Sequence, residues 1–491
     1  MRRFLPIGIL LAGAIAVLVG CGLKGVVQPT SLPDTILFVQ GPVDTVNHVV
    51  HLFWFGSDAG GYISGYEVRL LNPLAPADSL WRFTTHTDTL LTVYTPTRGT
   101  SAVFEARAIN DHGVRDPSPA IEQFEFRNRP PIVKFVGKPN PGDHSDTTFA
   151  SVTVDWSVLD PDGDPTRVVY MLWLDGQSAS PQITQSTGMT LPSSLFLQGG
   201  SYRSGFRTLY IEGVDDGGLA GPIDNVTWYV RAPVTGTRAR LLLIEDVDDV
   251  PVANKQPAPA RFRCDTLYAN AVARSAVAPD QWSMLRLDTS HPFRSAKDLE
   301  QTFEQFETVV WYRGEQSLFS NTLANYGDGI GPYLDNGGRV YIESLNLTTA
   351  QSTAGGLSAD FTNKYLRCSG VSQYPQPPDS SAAWGLTSSV PAVLHSAQLD
   401  DSLLNLRNVI GLRGFRNYNS SQILFLLSAG AASQGNTIDM PVGLDVPQLR
   451  GGRFIVQTYP LVSGTISQGT FSQRATFVLM KIFARLGLTT P

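Results

Sequence analysis

The side chains best placed to do chemistry lie in the second half of this chain of 491 residues. Glu245, Asp246, Asp248 and Asp249 follow directly on the apolar run Leu241-Leu242-Leu243-Ile244. The carboxyl ends of buried parallel strands are where open α/β sheets bind ligands. Acids gathered there could hold a divalent cation, but no second group of oxygen ligands completes a shell, so a solvated loop is expected. Ser344 follows another strand-like run, in Glu343-Ser344-Leu345-Asn346. It is the weak candidate for a nucleophile. The Gly-x-Ser-x-Gly pattern of a strained elbow is missing. Its base would have to be His291 or His395, because an activated serine needs a base within hydrogen-bond reach. The chain has 7 histidines, and none has a partner at zinc-ligand spacing. His48 and His51 read as strand-edge histidines, since a structural zinc needs four ligands. Asp160-Pro161-Asp162-Gly163-Asp164 alternates carboxylates, but no bidentate Glu follows, and the same residues suit a tight turn. No cofactor and no metal are implied.

Composition narrows the classes. Hydrophobic residues make up 42% and aromatic residues 10%, enough for real cores, while charged residues are only 16%. With Gly 45 and Pro 33, this balance points to turn-rich β modules. The net charge of −6 and the lack of a Lys/Arg cluster exclude a general nucleic-acid binder. The length leaves room for about three domains.

The elements that must position these residues begin with an N-terminal segment. Arg2 and Arg3 precede an uncharged apolar run from Phe4 to Val19, which ends in Leu18-Val19-Gly20-Cys21. A spanning helix needs about 20 apolar residues, so the run suits a signal-peptide core. Its end resembles the lipobox of bacterial lipoproteins. That resemblance implies a signal peptide over 1–20, cleavage before Cys21 and acylation of that cysteine. Residues 21–33 then form a tether without periodicity. Gly22 in place of Asp after the cysteine favours outer-membrane sorting, by resemblance to enterobacterial lipoproteins. Cys264 and Cys368 are left as a possible disulfide in an oxidising compartment.

Two stretches, 34–128 and 130–232, read as short alternating strands separated by turn residues, the pattern of antiparallel sandwiches. The first holds Trp54 within Val49–Phe55, then Gly65-Tyr66-Glu67-Val68, then an alternating Phe104–Ala108 ahead of a polar turn at Gly113. The second repeats the plan with Val152–Trp156, Val168–Trp173 and Leu209–Gly218. Both resemble fibronectin type III modules within the immunoglobulin-like group. That resemblance implies an equivalent buried tryptophan in each.

From 237 to 491 the texture changes to apolar runs at 241–244, 308–312, 338–342 and 453–457, with helical spacing at 323–336 and 474–486. Strands alternating with helices predict an α/β domain with a mostly parallel sheet. The order resembles the class I glutamine-amidotransferase-like, flavodoxin-like fold. In active members a nucleophilic Cys follows the strand matching 339–343, and Phe-His-Pro-Glu follows the last strand. Here Ser344 stands at the first place and Thr458-Tyr459-Pro460-Leu461 at the second. The Cys, His and Glu are all replaced, so the resemblance is to a degenerate member. It leaves a cleft lined by Glu245, Asp246, Asp248, Asp249, Ser344 and Tyr459.

The expected function is that of a non-catalytic, lipid-anchored cell-envelope protein. Its sandwiches are spacer or adhesion units presenting the α/β domain to a protein or glycan, with the membrane engaged through lipid. The alternative is a hydrolase or transferase working through Ser344 or through a metal on the 245–249 loop.

Overall fold

The computed structural model describes residues 31–40, 49–71, 79–92, 101–125, 129–137, 139, 147–161, 164–233, 238–247, 261–287, 292–314, 320–345, 347, 357–368, 371–373, 393–396, 399, 401–404, 413–415, 419–430, 437–463 and 470–489. The N-terminal segment with Cys21, and with it the signal peptide and most of the tether, lies outside the described residues, as does His48.

The first sandwich is built from β1 (Asp34–Val39), β2 (Val49–Ser57), β3 (Ile63–Leu71), β4 (Arg82–Thr84), β5 (Asp88–Thr92), β6 (Ser101–Asn110) and β7 (Ala120–Glu125). One sheet runs β1-β2-β5 and the other β4-β3-β6-β7, all pairs antiparallel. Alternation sends Val50, Leu52 and Trp54 of β2 inward to meet Tyr66, Phe104, Ala106 and Ala108 of the facing sheet.

The second sandwich uses β8 (Ile132–Gly137), β9 (Val152–Leu159), β10 (Val169–Leu174), β11 (Gln182–Thr184), β12 (Gly188–Leu191), the short hairpin β13 (Leu197–Gln198) and β14 (Ser201–Tyr202), β15 (Gly205–Val214) and β16 (Asp224–Val230). Its sheets, β12-β9-β8 and β11-β10-β15-β16, repeat the first plan. The two tryptophans occupy matching places. The Trp54 N–H donates to the Thr87 carbonyl and the Trp156 N–H to the Thr187 carbonyl, each at 2.9 Å. Trp54 packs against Tyr66 and Phe104, and Trp156 against Tyr170 and Phe135. The turns after β6 and β15 also match. Gly113 (φ 75°) and Gly218 (φ 83°) take the left-handed conformation that closes each turn. Of the Asp160–Asp164 stretch, for which a turn is expected, Asp162 and Gly163 lie outside the described residues. Asp164 caps the short turn Pro165–Arg167 by accepting from the Thr166 N–H at 2.9 Å.

The C-terminal domain has β17 (Ala239–Glu245), β18 (Trp282–Arg286), β19 (Phe306–Tyr312), β20 (Arg339–Glu343), β21 (Val371–Gln373), β22 (Val393–Ser396), β23 (Asp401–Leu404), β24 (Arg413–Phe415), β25 (Ile423–Gly430), β26 (Thr437–Pro447) and β27 (Arg453–Gln457). Nine strands form one sheet in the order β18-β17-β19-β20-β27-β26-β25-β22-β23. The pairs from β18 to β27 are parallel and those from β27 to β23 antiparallel. The expected mostly parallel sheet is therefore corrected to a mixed one. The continuous apolar runs mark the parallel strands. In the antiparallel half β26 is interrupted by Pro441 and Gly443, while the apolar run 423–427 of β25 is of the same kind as those of the parallel strands.

Helices Arg261–Arg274 and Thr470–Arg485 cover one face of this sheet, and helices Ala296–Glu304, Asn321–Tyr326 and Ile330–Asp335 cover the other. The helix expected over 323–336 is thus broken into two pieces around a tight turn at Gly327–Gly329. A Cβ at Gly329 would lie 2.0 Å from the Ala296 carbonyl, so the break brings two helices into close approach. Cys264 and Cys368 are buried thiols in the two separate clusters on opposite faces of the sheet. The sheet stands between them, and the disulfide is not formed.

The second sandwich and the α/β domain share a core. Phe149 belongs to the same cluster as Phe306, Tyr333 and Trp311, and meets Phe306 edge-on at 5.2 Å. Around it, the Ala150 and Ser193 N–H groups donate to the side-chain oxygens of Gln305 and Gln301 at 3.2 and 2.9 Å. The Thr153 hydroxyl meets that of Ser295 at 2.7 Å.

Candidate functional site

At the carboxyl end of the parallel strands the acids are braced, not solvated. Asp246 Oδ2 accepts from the Trp311 indole N–H at 2.9 Å and pairs with the buried Arg313 guanidinium at 2.6 Å. Glu245 is fully buried and pairs with Arg286 at 3.2 Å. Arg286 also reaches Asp265 at 3.0 Å, and Asp265 accepts from the Tyr312 hydroxyl at 2.7 Å. Tyr312 stacks on Tyr268 with ring centres 4.0 Å apart. The expected solvated loop is corrected for Glu245 and Asp246, because each carboxylate has found an arginine. Asp248 and Asp249 lie outside the described residues. Among the described residues, no three His, Cys, Asp or Glu side chains gather as a metal site.

Ser344 has 0% exposure, and its N–H donates to the Gln457 carbonyl at 2.9 Å. It prolongs the β20–β27 ladder where an elbow would leave it. His395 sits on β22, four strand positions from β20 in the sheet order. At about 4.8 Å per position the two strands lie roughly 19 Å apart. His291 and Asn346 lie outside the described residues. Tyr459 is buried in the core under helices Arg261–Arg274 and Thr470–Arg485, and its carbonyl accepts from the Gln457 amide. The expected cleft is corrected accordingly. Glu245, Ser344 and Tyr459 are packed inside the domain and do not line an opening.

Glu343, not singled out by the sequence, is the most unusual titrating group. It is fully buried at the end of β20, and its Oε2 accepts from the Leu461 N–H at 2.9 Å. The Tyr341 hydroxyl lies 3.4 Å from Glu343 and 3.4 Å from the Gln457 side-chain oxygen. Burial pushes the Glu343 carboxyl up to about 7, against a bonding pull from Leu461. Burial and the neighbouring carboxylate push Tyr268 and Tyr341 well above the usual phenol range. Such a network can hold a proton and fix the strand ends, but it presents no accessible nucleophile. The only sequence sign of it was a carboxylate closing an otherwise apolar strand. Arg313, Asp265 and Arg286 gave no sign, because their partners come from separate segments.

A concavity of about 340 Å³ opens between the edge strands β4 and β5 of the first sandwich. Trp54, Arg69, Arg82, His86, Asp88 and Phe104 are among its lining residues. His51 lies on the outer side of the same sheet and bonds Asp88 at 2.8 Å.

No protein-family model matches the chain, and no curated protein matches it. Solved structures do. The fibronectin(III)-like modules of Clostridium thermocellum CbhA are 13% identical, with 40% of this chain and 94% of that chain covered, at a TM-score of 0.18. A two-domain fibronectin type III segment of chicken tenascin is 16% identical, covering 40% and 98%, at a TM-score of 0.19. A tandem repeat from the extending region of a large adhesion protein is 15% identical, covering 41% and 50%, at a TM-score of 0.21.

Proposed function

We propose that this chain is a lipid-anchored protein of a bacterial cell envelope, held at Cys21 and sorted to the outer membrane. Its two fibronectin III-like sandwiches act as spacer or adhesion units carrying a degenerate glutamine-amidotransferase-like domain that binds and does not catalyse. The three-plus-four strand arrangement repeated in both sandwiches supports the module reading. In the C-terminal domain, the parallel strands in the order β18-β17-β19-β20-β27 follow the doubly wound pattern of flavodoxin-like sheets. The observation that carries the non-catalytic reading is the burial of Ser344 in a continuous ladder, with Glu245 and Asp246 already engaged by Arg286 and Arg313. A nucleophile must reach its substrate, and burial in the ladder denies Ser344 that reach.

Two measurements test the proposal. Cys21→Ser should abolish acyl labelling and leave an unprocessed precursor. The purified protein should release no ammonia from glutamine, and Ser344→Ala should change no hydrolysis of ester or amide panels. Labelling that survives Cys21→Ser removes the anchor, and turnover that disappears with Ser344→Ala replaces the binding reading with a hydrolase.

A further inference from the structure

The two sandwiches share a plan but not an outer face. In the second, the outward positions of β8, β9 and β12 carry the polar Lys134, Asp155, Ser157, Thr153 and Thr190 beside the exposed Ile132, Val136 and Leu159. Two of these are covered: the Thr153 and Thr190 hydroxyls meet Ser295 of the α/β domain at 2.7 and 3.3 Å. The matching face of the first sandwich is more apolar, with Asp34 and the His51–Asp88 pair as its charged members. With Trp54 aligned on Trp156, the positions of Lys134, Asp155, Ser157 and Thr190 are taken by Ile36, Phe53, Phe55 and Leu90, and that of Thr153 by His51.

Phe38 joins them and packs edge-on against Phe55 with ring centres 6.1 Å apart. Phe55 is 49% exposed and Leu90 68%. These side chains project from neighbouring strands in register, Ile36 beside Phe55 and Phe38 beside Phe53. Ile36, Phe38, Phe53 and Phe55 form one continuous patch, and the His51–Asp88 pair lies beside Phe53 and Leu90 at its margin. Such a patch on a folded domain marks an interaction surface.

The opposite face of the same module is built around charged pairs, with Phe83 and Ile121 exposed beside them. Arg69 bonds Glu105 at 2.6 Å, and Arg107 pairs with Glu67 at 2.6 Å, with both guanidinium groups over the Trp81 ring at 4.3 and 4.1 Å. The first sandwich therefore carries its aromatic cluster on the β1-β2-β5 face and its arginine–glutamate pairs on the other. Its apolar face is carried by β1, the first strand after the tether. Thirteen peptide steps separate Cys21 from Asp34, a reach of at most about 45 Å. A lipid at Cys21 thus holds this face within its own dimensions of a bilayer.

From this we infer that the β1-β2-β5 face of the first sandwich lies on the lipid surface, with Phe38, Phe55 and Leu90 entering the interfacial region. The occupant is a bilayer and not an anionic polymer, since β1, β2 and β5 contain no Lys or Arg. Binding is by apolar burial, which salt does not screen. The proposal rests on the lipid anchor for its proximity to the membrane, though the face exists without it.

The test uses the chain from residue 22 onward, which carries no acyl group, with vesicles of phosphatidylethanolamine and phosphatidylglycerol. Sedimentation with vesicles should be measurable and should persist in about 0.5 M salt. Phe38→Asp/Phe55→Asp/Leu90→Asp should lower the partition coefficient tenfold or more. Phe83→Asp, the same change on the opposite face, should leave it unaltered. All substituted side chains are largely exposed, and near-ultraviolet circular dichroism checks each variant's fold. If it shows the triple variant unfolded, Phe55→Asp alone should still lower the partition. Absence of partition by the parent chain, or equal partition by the folded Asp variants, overturns the proposal. A parent that forms a dimer broken by Phe55→Asp, with no vesicle binding, also overturns it and assigns the face to a second copy. Acyl labelling at Cys21 is read separately, so loss of the anchor and loss of the lipid face are distinct outcomes.

Discussion

Glu343 shows how a single residue can make stability depend on pH. Its carboxyl sits at about 7 in the folded protein because burial disfavours the anion, while in the unfolded chain it ionises near the ordinary 4.5. Between these values the folded state binds the extra proton, so stability falls as pH rises from about 4.5 to about 7 and is fully present only below that window. Glu343→Gln keeps an acceptor for the Leu461 N–H and removes the ionisation. The variant should lose that slope and exceed the parent in stability at about pH 8, by an amount of order 3 kcal/mol. Urea unfolding at several pH values measures it, and parallel curves for the two proteins rule it out. The tryptophans make a simpler case. Trp54→Ala and Trp156→Ala each empty a large buried site and should cost about 3–5 kcal/mol. Indole fluorescence should show each parent residue shielded from a polar quencher, and strong quenching of either speaks against the matched cores.

Helix Ala296–Glu304 links local capping to domain docking. Ser295 caps it by accepting from the Asp298 N–H at 3.0 Å while its hydroxyl also meets Thr153 of the second sandwich. Ser295→Ala should therefore cost about 1–2 kcal/mol, toward the upper end of the usual cap range. Chemical denaturation gives the number, and a change below a few tenths shows that neither contact matters. Asp298 stands one turn further on, nearly enclosed at the same junction. Burial raises its carboxyl to about 6, against bonds from Ser151 and the Thr153 N–H. Its contribution to stability has the same sign as that of Glu343 and fades as pH rises through about 6.

Across the whole molecule, the shared core at Phe149 couples the second sandwich to the α/β domain. Inter-domain contacts are often polar and loose, but a phenylalanine buried among Phe306, Trp311 and Tyr333 makes this one part of a single core. The second sandwich and the α/β domain should unfold together in calorimetry as one cooperative unit. Phe149→Ala should lower that shared transition by the equivalent of about 3–5 kcal/mol. Separate melting of the second sandwich in the parent protein, unaffected by Phe149→Ala, defeats this expectation.

The amino-acid order alone determined the local periods. Alternation around Trp54 and Trp156 marks half-buried strands, and the runs at 241–244, 308–312 and 453–457 mark strands covered on both faces. These signals are local, so they survive reading one segment at a time. In the antiparallel half of the large sheet, β26 escaped because Pro441 and Gly443 interrupt it and pairing with β27 and β25 overrides its weak propensity, while the apolar run of β25 at 423–427 carries no sign of its neighbours' direction. Tertiary structure alone decided the fate of the chemical groups. Whether Glu245 is a ligand or a brace depends on Arg286, and whether Asp246 is free to bind depends on Arg313. Whether Ser344 can react depends on its ladder with Gln457 and on its distance from His395 across the sheet. The two thiols are equally open to pairing on paper, and only the sheet between them keeps them apart. Burial and ion pairing are sums over segments distant in the chain, which is why residue type and spacing could name the candidates but not their roles.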